Sequence, residues 1–350
     1  MTDLWRATCV QMPCEPARSA NTRAEARDIM ERNIATAVDM IDEAMAFSSP
    51  APSLLLLPEF VIQGPPEHET VPEWIEKACY SVPGPLTEPL QKKAQEYKVY
   101  IAGNQFESDP EWEGRFFNTS FLIDPSGDII LRYRRIFTSY FCSPHDFLDK
   151  YLDRYGWEGV WPVAETPLGK IGMLACGEIM TPEAPRAMMF QGCEVLLHPS
   201  NQPVFPLIEA GKVVAAGANM MYVLSVNVSG QIGEPYNAKM FAGGDVSFQG
   251  GSSKIIDYKG RTLAFEEEAK STLEVSAMID IDGLREARLD TSPANAILRL
   301  RSETFARFYQ DTPVYPANYF ADSPMVNAHE ETKATSAEGI ERLRKAGIVQ

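Results

Sequence analysis

Residues 171–186 read Ile171-Gly-Met-Leu-Ala-Cys176-Gly-Glu-Ile-Met-Thr-Pro-Glu-Ala-Pro-Arg186. Gly172–Ala175 is expected to form a strand that ends at Cys176, and Pro182–Gln191 a helix. The same alternation continues downstream, with a strand over Glu194–His198, a helix over Pro206–Asn219 and a strand over Met221–Asn227. Upstream, Ser53–Leu57 is a short, continuous apolar run, the mark of a strand buried on both faces. Thr22–Ala46 places Ile29, Ile34, Val38, Ile41 and Met45 at helical spacing with charges between, which predicts a long amphipathic helix. A strand at Leu4–Met12, a helix at Pro85–Tyr97, a strand at Val99–Asn104 and a late helix at Ala294–Tyr309 extend the pattern.

Hairpins interrupt the alternation. Phe117–Ile123 and Ile129–Tyr133 flank Asp124-Pro-Ser-Gly-Asp128, with Pro and Gly at turn positions. Ser247–Asp257 and Thr262–Phe265 flank Tyr258-Lys-Gly260, and Leu273–Ile281 closes the core. The aromatic stretch Ile136–Trp161 reads as a long loop with one helical turn, and long loops in compact domains are often functional. Strands and helices in this order suit two sheets covered by helices on their outer faces. The body is expected to be one domain over residues 1–311, and 312–350 a tail that packs on a neighbouring subunit.

Composition narrows the function. The chain has 350 residues, 32 Lys plus Arg against 48 Asp plus Glu, and a net charge of −16. Nucleic acid and anionic membranes need a cationic face, so neither is expected as the main partner. No segment approaches the roughly 20 apolar residues of a membrane helix, and the first residues lack the basic and apolar regions of a signal peptide. The six cysteines are scattered without CxxC spacing, so no disulfide or zinc framework is expected. A reduced cytoplasmic protein follows as the expectation. Gly243-Gly244 and Gly250-Gly251 lack the Lys-Ser/Thr ending of a phosphate-binding loop, and Cys9 and Cys14 lack zinc-finger spacing.

Cys176 stands out because it sits where a buried strand hands over to a helix. Such a turn exposes a side chain at the sheet edge, and a helix N-terminus favours a thiolate. Gly177 leaves a backbone N–H free to meet a developing oxyanion. A thiol nucleophile needs a base. None of the four histidines lies in a recognisable Cys-His context, whereas Glu59 ends the buried run Leu54-Leu-Leu-Leu-Pro-Glu59. Desolvation there raises a carboxylate's proton affinity and suits it to general-base work. Each residue also has a plainer reading, Cys176 as a buried structural thiol and Glu59 as a solvated strand end.

Taken in order, these stretches resemble the nitrilase, or carbon–nitrogen hydrolase, superfamily over about residues 4–310. Leu54–Phe60 is similar to the family's strand that ends in its catalytic Glu. Asn118-Thr-Ser, Asp124-Pro-Ser-Gly and Tyr133-Arg-Arg135 resemble the segment that ends in Tyr-Arg-Lys. Pro182, Glu183 and Arg186 follow Cys176 at the spacing of the nucleophile motif, and Ala215–Asn227 and Gly250-Gly-Ser252 with Asp257 resemble later elements. The resemblance implies an α/β four-layer α-β-β-α sandwich and a Glu-Lys-Cys triad. It further implies thiol attack on an amide, carbamoyl or nitrile carbon, no metal or organic cofactor, and a homodimer or higher homo-oligomer.

One departure matters. The triad Lys position is Arg135, which cannot shuttle a proton near neutral pH but can place N–H donors on an oxyanion. Phe147-Leu-Asp149-Lys150 resembles the context of a further family Glu, with Asp149 in its place, and a shorter acid facing a longer base is one reading of the two changes together. Glu178 either binds polar substrate atoms or caps a helix. Asn201 either contacts substrate or forms a turn. Tyr140, Phe141, His145 and Trp157 either wall a pocket or pack on the core. The expected function is hydrolysis of a carboxamide or N-carbamoyl compound through a Cys thioester-type intermediate. Nitrile hydrolysis, acyl transfer to an amine and a catalytically silent relative remain alternatives.

Overall fold

A computed structural model describes residues 4–138, 142–232, 249–311 and 314–350. The first sheet is assembled from β1 (Trp5–Cys9), β2 (Leu54–Leu56), β3 (Tyr100–Ser108), β4 (Phe116–Ile123), β5 (Ile129–Arg134) and a late strand, Ser276–Ile279, which pairs with β1. β1, β2 and β3 run parallel, and β4 and β5 return as antiparallel neighbours. Between these strands lie α1 (Arg23–Phe47), α2 (Val71–Ala78) and α3 (Glu88–Tyr97). Thr22 caps α1 by accepting from the Glu25 N–H at 3.2 Å.

The alternation of side chains along β2 explains the double-sided burial of its leucines. Leu54 and Leu56 enter a core shared with strands of the second sheet. Leu55 and Leu57 enter another that holds Ile34 and Ile41 of α1 and Leu90 and Ala94 of α3. Four consecutive apolar residues are therefore required there, and burying each side chain contributes about 1.5–3 kcal/mol.

The chain crosses to the second sheet through α4 (Leu148–Val160). That sheet has the order β11 (Thr262–Glu266), β10 (Ser253–Ile256), β9 (Tyr222–Asn227), β8 (Val195–Ser200), β7 (Gly169–Met173), β6 (Val163–Thr166) among the described residues. β7, β8 and β9 are parallel, so each crossover needs a helix. α5 (Glu183–Phe190) and α6 (Pro206–Asn219) are those helices, and Met188, Ile208 and Ala216 pack them on the sheet. The result is the four-layer α-β-β-α sandwich that the sequence leads one to expect. The closing strand, Ser276–Ile279, is β12, and α7 (Ile281–Leu289), α8 (Glu303–Asp311) and α9 (Ala328–Lys345) follow it.

Two expectations need correction. The supposed loop Ile136–Trp161 contains α4, interrupted by Gly156 at φ 66°, ψ −177°, a conformation only glycine adopts readily. That break erased the helical period. The late helix at Ala294–Tyr309 is instead a short 3-10 turn, Ile297–Arg299, and α8, separated by extended Leu300. The C-terminal segment makes contacts with its own chain. Phe320 N–H donates to Asp146 O at 2.9 Å, Val71 N–H donates to Val326 O at 2.8 Å, and Met325 is buried. All six cysteines are free. No helix among the described residues is long and apolar enough to cross a membrane.

Leu56→Ala should lower the unfolding free energy by about 2–5 kcal/mol, because the cavity opens between two sheets that cannot collapse. Urea denaturation reads this as a lower midpoint at unchanged slope. A loss below about 1 kcal/mol contradicts the packing described.

Candidate active site

Strands β2, β5, β7 and β8 all release their chains at the same end of the two sheets, and the residues just beyond them meet. Glu59 follows β2 and is fully buried. Its Oε1 accepts from Asn118 Nδ2 at 2.7 Å and from Arg135 Nη1 at 3.1 Å. Its Oε2 accepts from the Asn201 N–H at 3.2 Å. Burial pushes the Glu59 carboxyl above its ordinary 4.5, and the Arg135 cation and the donated hydrogen bonds restrain that rise. A carboxylate with raised proton affinity is suited to taking a proton near neutral pH.

Arg135 is the first residue past β5. Strand alternation sends Arg134 the other way, into a buried ion pair with Glu107 at 2.9 Å. The Arg135 guanidinium is spread over three positions. Nη1 meets Glu59, Nε donates to Phe137 O at 2.9 Å, and Nη2 lies beside Gly177, 3.4 Å from where a β-carbon there would sit. Burial opposes the cation, but Glu59, Cys176 and Glu178 around it keep it protonated.

Cys176 sits at φ 53°, a left-handed conformation that costs a non-glycine residue about 1–3 kcal/mol. The surroundings enforce it. His198 Nε2 bonds the Cys176 carbonyl at 2.8 Å while Nδ1 bonds Ser225 Oγ at 2.9 Å. A nitrogen that faces a carbonyl must be the donor, so Nε2 carries the proton and Nδ1 accepts. Burial, followed by Lys212, lowers the His198 pKa to about 3, so the ring is neutral. The Cys176 thiol is in hydrogen-bond contact with Glu59 and lies 3.1 Å from Gln202 Oε1. Burial and then the Glu59 charge push this thiol up to about 12, so the resting sulfur keeps its proton. The arrangement can deprotonate a thiol as it attacks and can stabilise negative charge beside Gly177.

Of the residues anticipated from sequence, Glu59, Arg135 and Cys176 meet, with Gly177 and the Asn201 backbone beside them. Two do not fit the expected roles. Asp149 is exposed on α4, where its N–H donates to Asn318 Oδ1 at 2.9 Å. Glu178 is fully buried, and its carboxylate is taken up by donors of the protein itself. Its Oε1 accepts from Tyr133 OH at 2.6 Å, Ile136 N–H at 2.9 Å and Phe137 N–H at 3.0 Å, and its Oε2 from Ala175 N–H at 3.0 Å. It fastens the segment bearing Arg135 to the turn bearing Cys176. It thus caps the turn at Cys176 and not a helix near Pro182.

Cys176 opens into a cavity of about 950 Å³. His145, Asp146 and Trp157 line it, together with Val314 and Tyr315 from the C-terminal segment. Asp146 is the buried acid of this loop, and its Oδ1 accepts from Tyr315 OH at 2.9 Å. Tyr140 and Phe141 lie outside the described residues. Sequence reasoning missed Gln202, His198 and the role of Glu178. Gln202 is adjacent to Asn201, and its Nε2 is buried with no hydrogen-bond partner among the described residues. His198 was passed over because its partner is the cysteine's carbonyl and not its sulfur.

Known proteins resemble this chain in sequence and in fold. The carbon-nitrogen hydrolase family profile matches residues 6–289. A formamidase of Bacillus cereus (strain B4264) is 29% identical over 219 residues, 61% of this chain and 58% of that protein. A formamidase of Bacillus anthracis (strain CDC 684 / NRRL 3495) is 28% identical over 68% of this chain and 65% of its own length. The matches thus span less than two thirds of these relatives. In fold, the carbon-nitrogen hydrolase from Helicobacter pylori G27 is similar at a TM-score of 0.64 and 20% identity, covering 89% of this chain and 98% of its own. A mutant of the amidase from Nesterenkonia sp. AN1, with the acetamide moiety of fluoroacetamide added covalently at its active site cysteine, has a TM-score of 0.58 at 17% identity, covering 87% and 96%.

The pairing of Glu59 with Arg135 has a consequence for Cys176. Alkylation of Cys176 by iodoacetamide, followed by peptide mass spectrometry, should decline as pH falls through the raised Glu59 pKa. In Arg135→Met the cation that restrains Glu59 is gone, so the decline should move to higher pH. An unmoved profile contradicts the coupling.

Proposed function

This chain belongs to the carbon–nitrogen hydrolase family, and from that premise we propose that it hydrolyses the C–N bond of a carboxamide or N-carbamoyl compound through a thioester-type intermediate on Cys176. The observation that carries this reading is the meeting of Glu59, Arg135 and Cys176 at one buried point beside a cavity. The formamidase relatives and the covalent cysteine adduct of the Nesterenkonia amidase support the same chemistry.

The reaction follows from the geometry. Glu59 takes the thiol proton as Cys176 Sγ bonds to the acyl carbon. The carbonyl oxygen becomes an oxyanion, which Arg135 and the Gly177 N–H stabilise with donors already in place. Glu59 returns the proton to the nitrogen, the C–N bond breaks, and ammonia or an amine leaves. Water then attacks the thioester, again losing a proton to Glu59. The second tetrahedral intermediate collapses, the acid is released and Cys176 regains its proton. Arg135 never needs to give up a proton in this scheme. Its cation and its fork of donors are what the oxyanion requires, so Arg serves where Lys is usual.

Cys176→Ala should abolish ammonia release while leaving the fold intact, and wild type mixed with an amide should show an acyl mass on Cys176. Unchanged turnover in Cys176→Ala contradicts the mechanism. Arg135→Lys should lower kcat/KM about 10- to 100-fold, because the shorter side chain gives up the Phe137 anchor and the donor beside Gly177. A rise by orders of magnitude would mark Arg135 as a defect.

A further inference from the structure

The cavity beside Cys176 is far larger than the C–N bond it serves. At about 950 Å³ it lies near the upper end of the roughly 300–1,000 Å³ that hold drug-sized ligands. A formamide-sized substrate would leave nearly all of it filled with water. Its walls are largely aromatic and aliphatic, with Phe60, Phe205, Trp157 and Trp161 on the body and Val314 and Tyr315 from the C-terminal segment.

Its charged wall residues are already engaged. Arg135 holds Glu59, and Arg18 lies 3.4 Å from Glu67. Asp146 accepts from Tyr315 OH and from the Ser143 N–H, both at 2.9 Å. Burial lowers the His145 pKa, so that ring presents no charge near neutral pH. Among the described residues each charged wall residue thus has a partner, and the donor that Arg135 keeps beside Gly177 faces the reacting carbonyl and not the aromatic wall.

Resting on the amide-hydrolysing reading of Cys176, we propose that the acyl group is bulky, neutral and apolar: a medium-chain or arylalkyl primary carboxamide. The reacting carbonyl sits at Cys176 and the hydrocarbon body fills the aromatic wall. The C-terminal segment is part of that wall. Tyr315 is fixed by Asp146 and stands 5.6 Å from the His145 ring, and the Val314 carbonyl accepts from Arg342 Nε of α9 at 3.0 Å. Gln202 Nε2, buried and free beside the sulfur, supplies one polar contact near the reacting end.

The test is a substrate series on the full-length enzyme: formamide, acetamide, butanamide, hexanamide, 3-phenylpropanamide and the anionic succinamate. Each added methylene should raise kcat/KM roughly fourfold, which places hexanamide roughly 200-fold above acetamide. 3-Phenylpropanamide should match or exceed hexanamide, and succinamate should fall well below butanamide. In Trp157→Ala the ratio of 3-phenylpropanamide to acetamide activity should drop about tenfold. Activity that is flat or falls with chain length, or that favours succinamate, overturns the proposal while leaving amide hydrolysis intact. Calorimetric binding of the same amides to Cys176→Ala separates the two ideas. Affinity that climbs with chain length while wild type releases no ammonia would keep the apolar acyl site and remove the chemistry.

Discussion

The buried ion pair between Glu59 and Arg135 constrains everything around it. Each charge alone, removed from water, would be strongly destabilising, and the pair is tolerated because both members are further hydrogen-bonded. Asn118, the Asn201 backbone and the Cys176 thiol complete Glu59, while the Phe137 carbonyl receives Arg135. These partners come from both sheets. The pair therefore acts as a register pin between the two halves of the sandwich, and the sulfur is placed where the pin closes.

A second carboxylate makes the first usable. Glu178 accepts four hydrogen bonds that hold the β5 exit to the Cys176 turn, which ties the segment bearing the guanidinium to the one bearing the sulfur. His198 holds the opposite side of the same turn through the Cys176 carbonyl. The strained left-handed backbone at Cys176 is thus over-determined by polar contacts, as a nucleophile's position must be when reacting atoms have to meet within a few tenths of an ångström. Burial raises the proton affinity of both Glu59 and Cys176. The resting site therefore holds its proton on sulfur, ready for transfer as the new bond forms.

Much of this was legible in the amino-acid order. The run Leu54–Leu57 reads as a strand with two buried faces, and Glu59 just beyond it reads as a carboxylate at the sheet's end. Cys176 between a strand and a helix, followed by Gly177, carried its own signal. What stayed hidden depends on contacts between distant segments. Glu178 looked like a candidate ligand because its four donors come from residues 133–137 and 175. Asp149 stands out in sequence through the Phe147-Leu-Asp149-Lys150 resemblance, and only the folded chain shows that it is exposed while Asp146 faces inward. Nothing in the weakly periodic tail announces that Tyr315 folds back to wall the cavity of its own chain.

The central claim is that Glu59 and Arg135 serve Cys176 as one unit, and a double-mutant cycle on amide turnover tests it most directly. We expect Glu59→Gln and Arg135→Met each to cost several orders of magnitude in kcat/KM, and the double variant to be little worse than either single one, because removing one partner already disables the other. Losses that multiply, so that the double variant falls by the product of the two single effects, would show two independent residues and contradict the account.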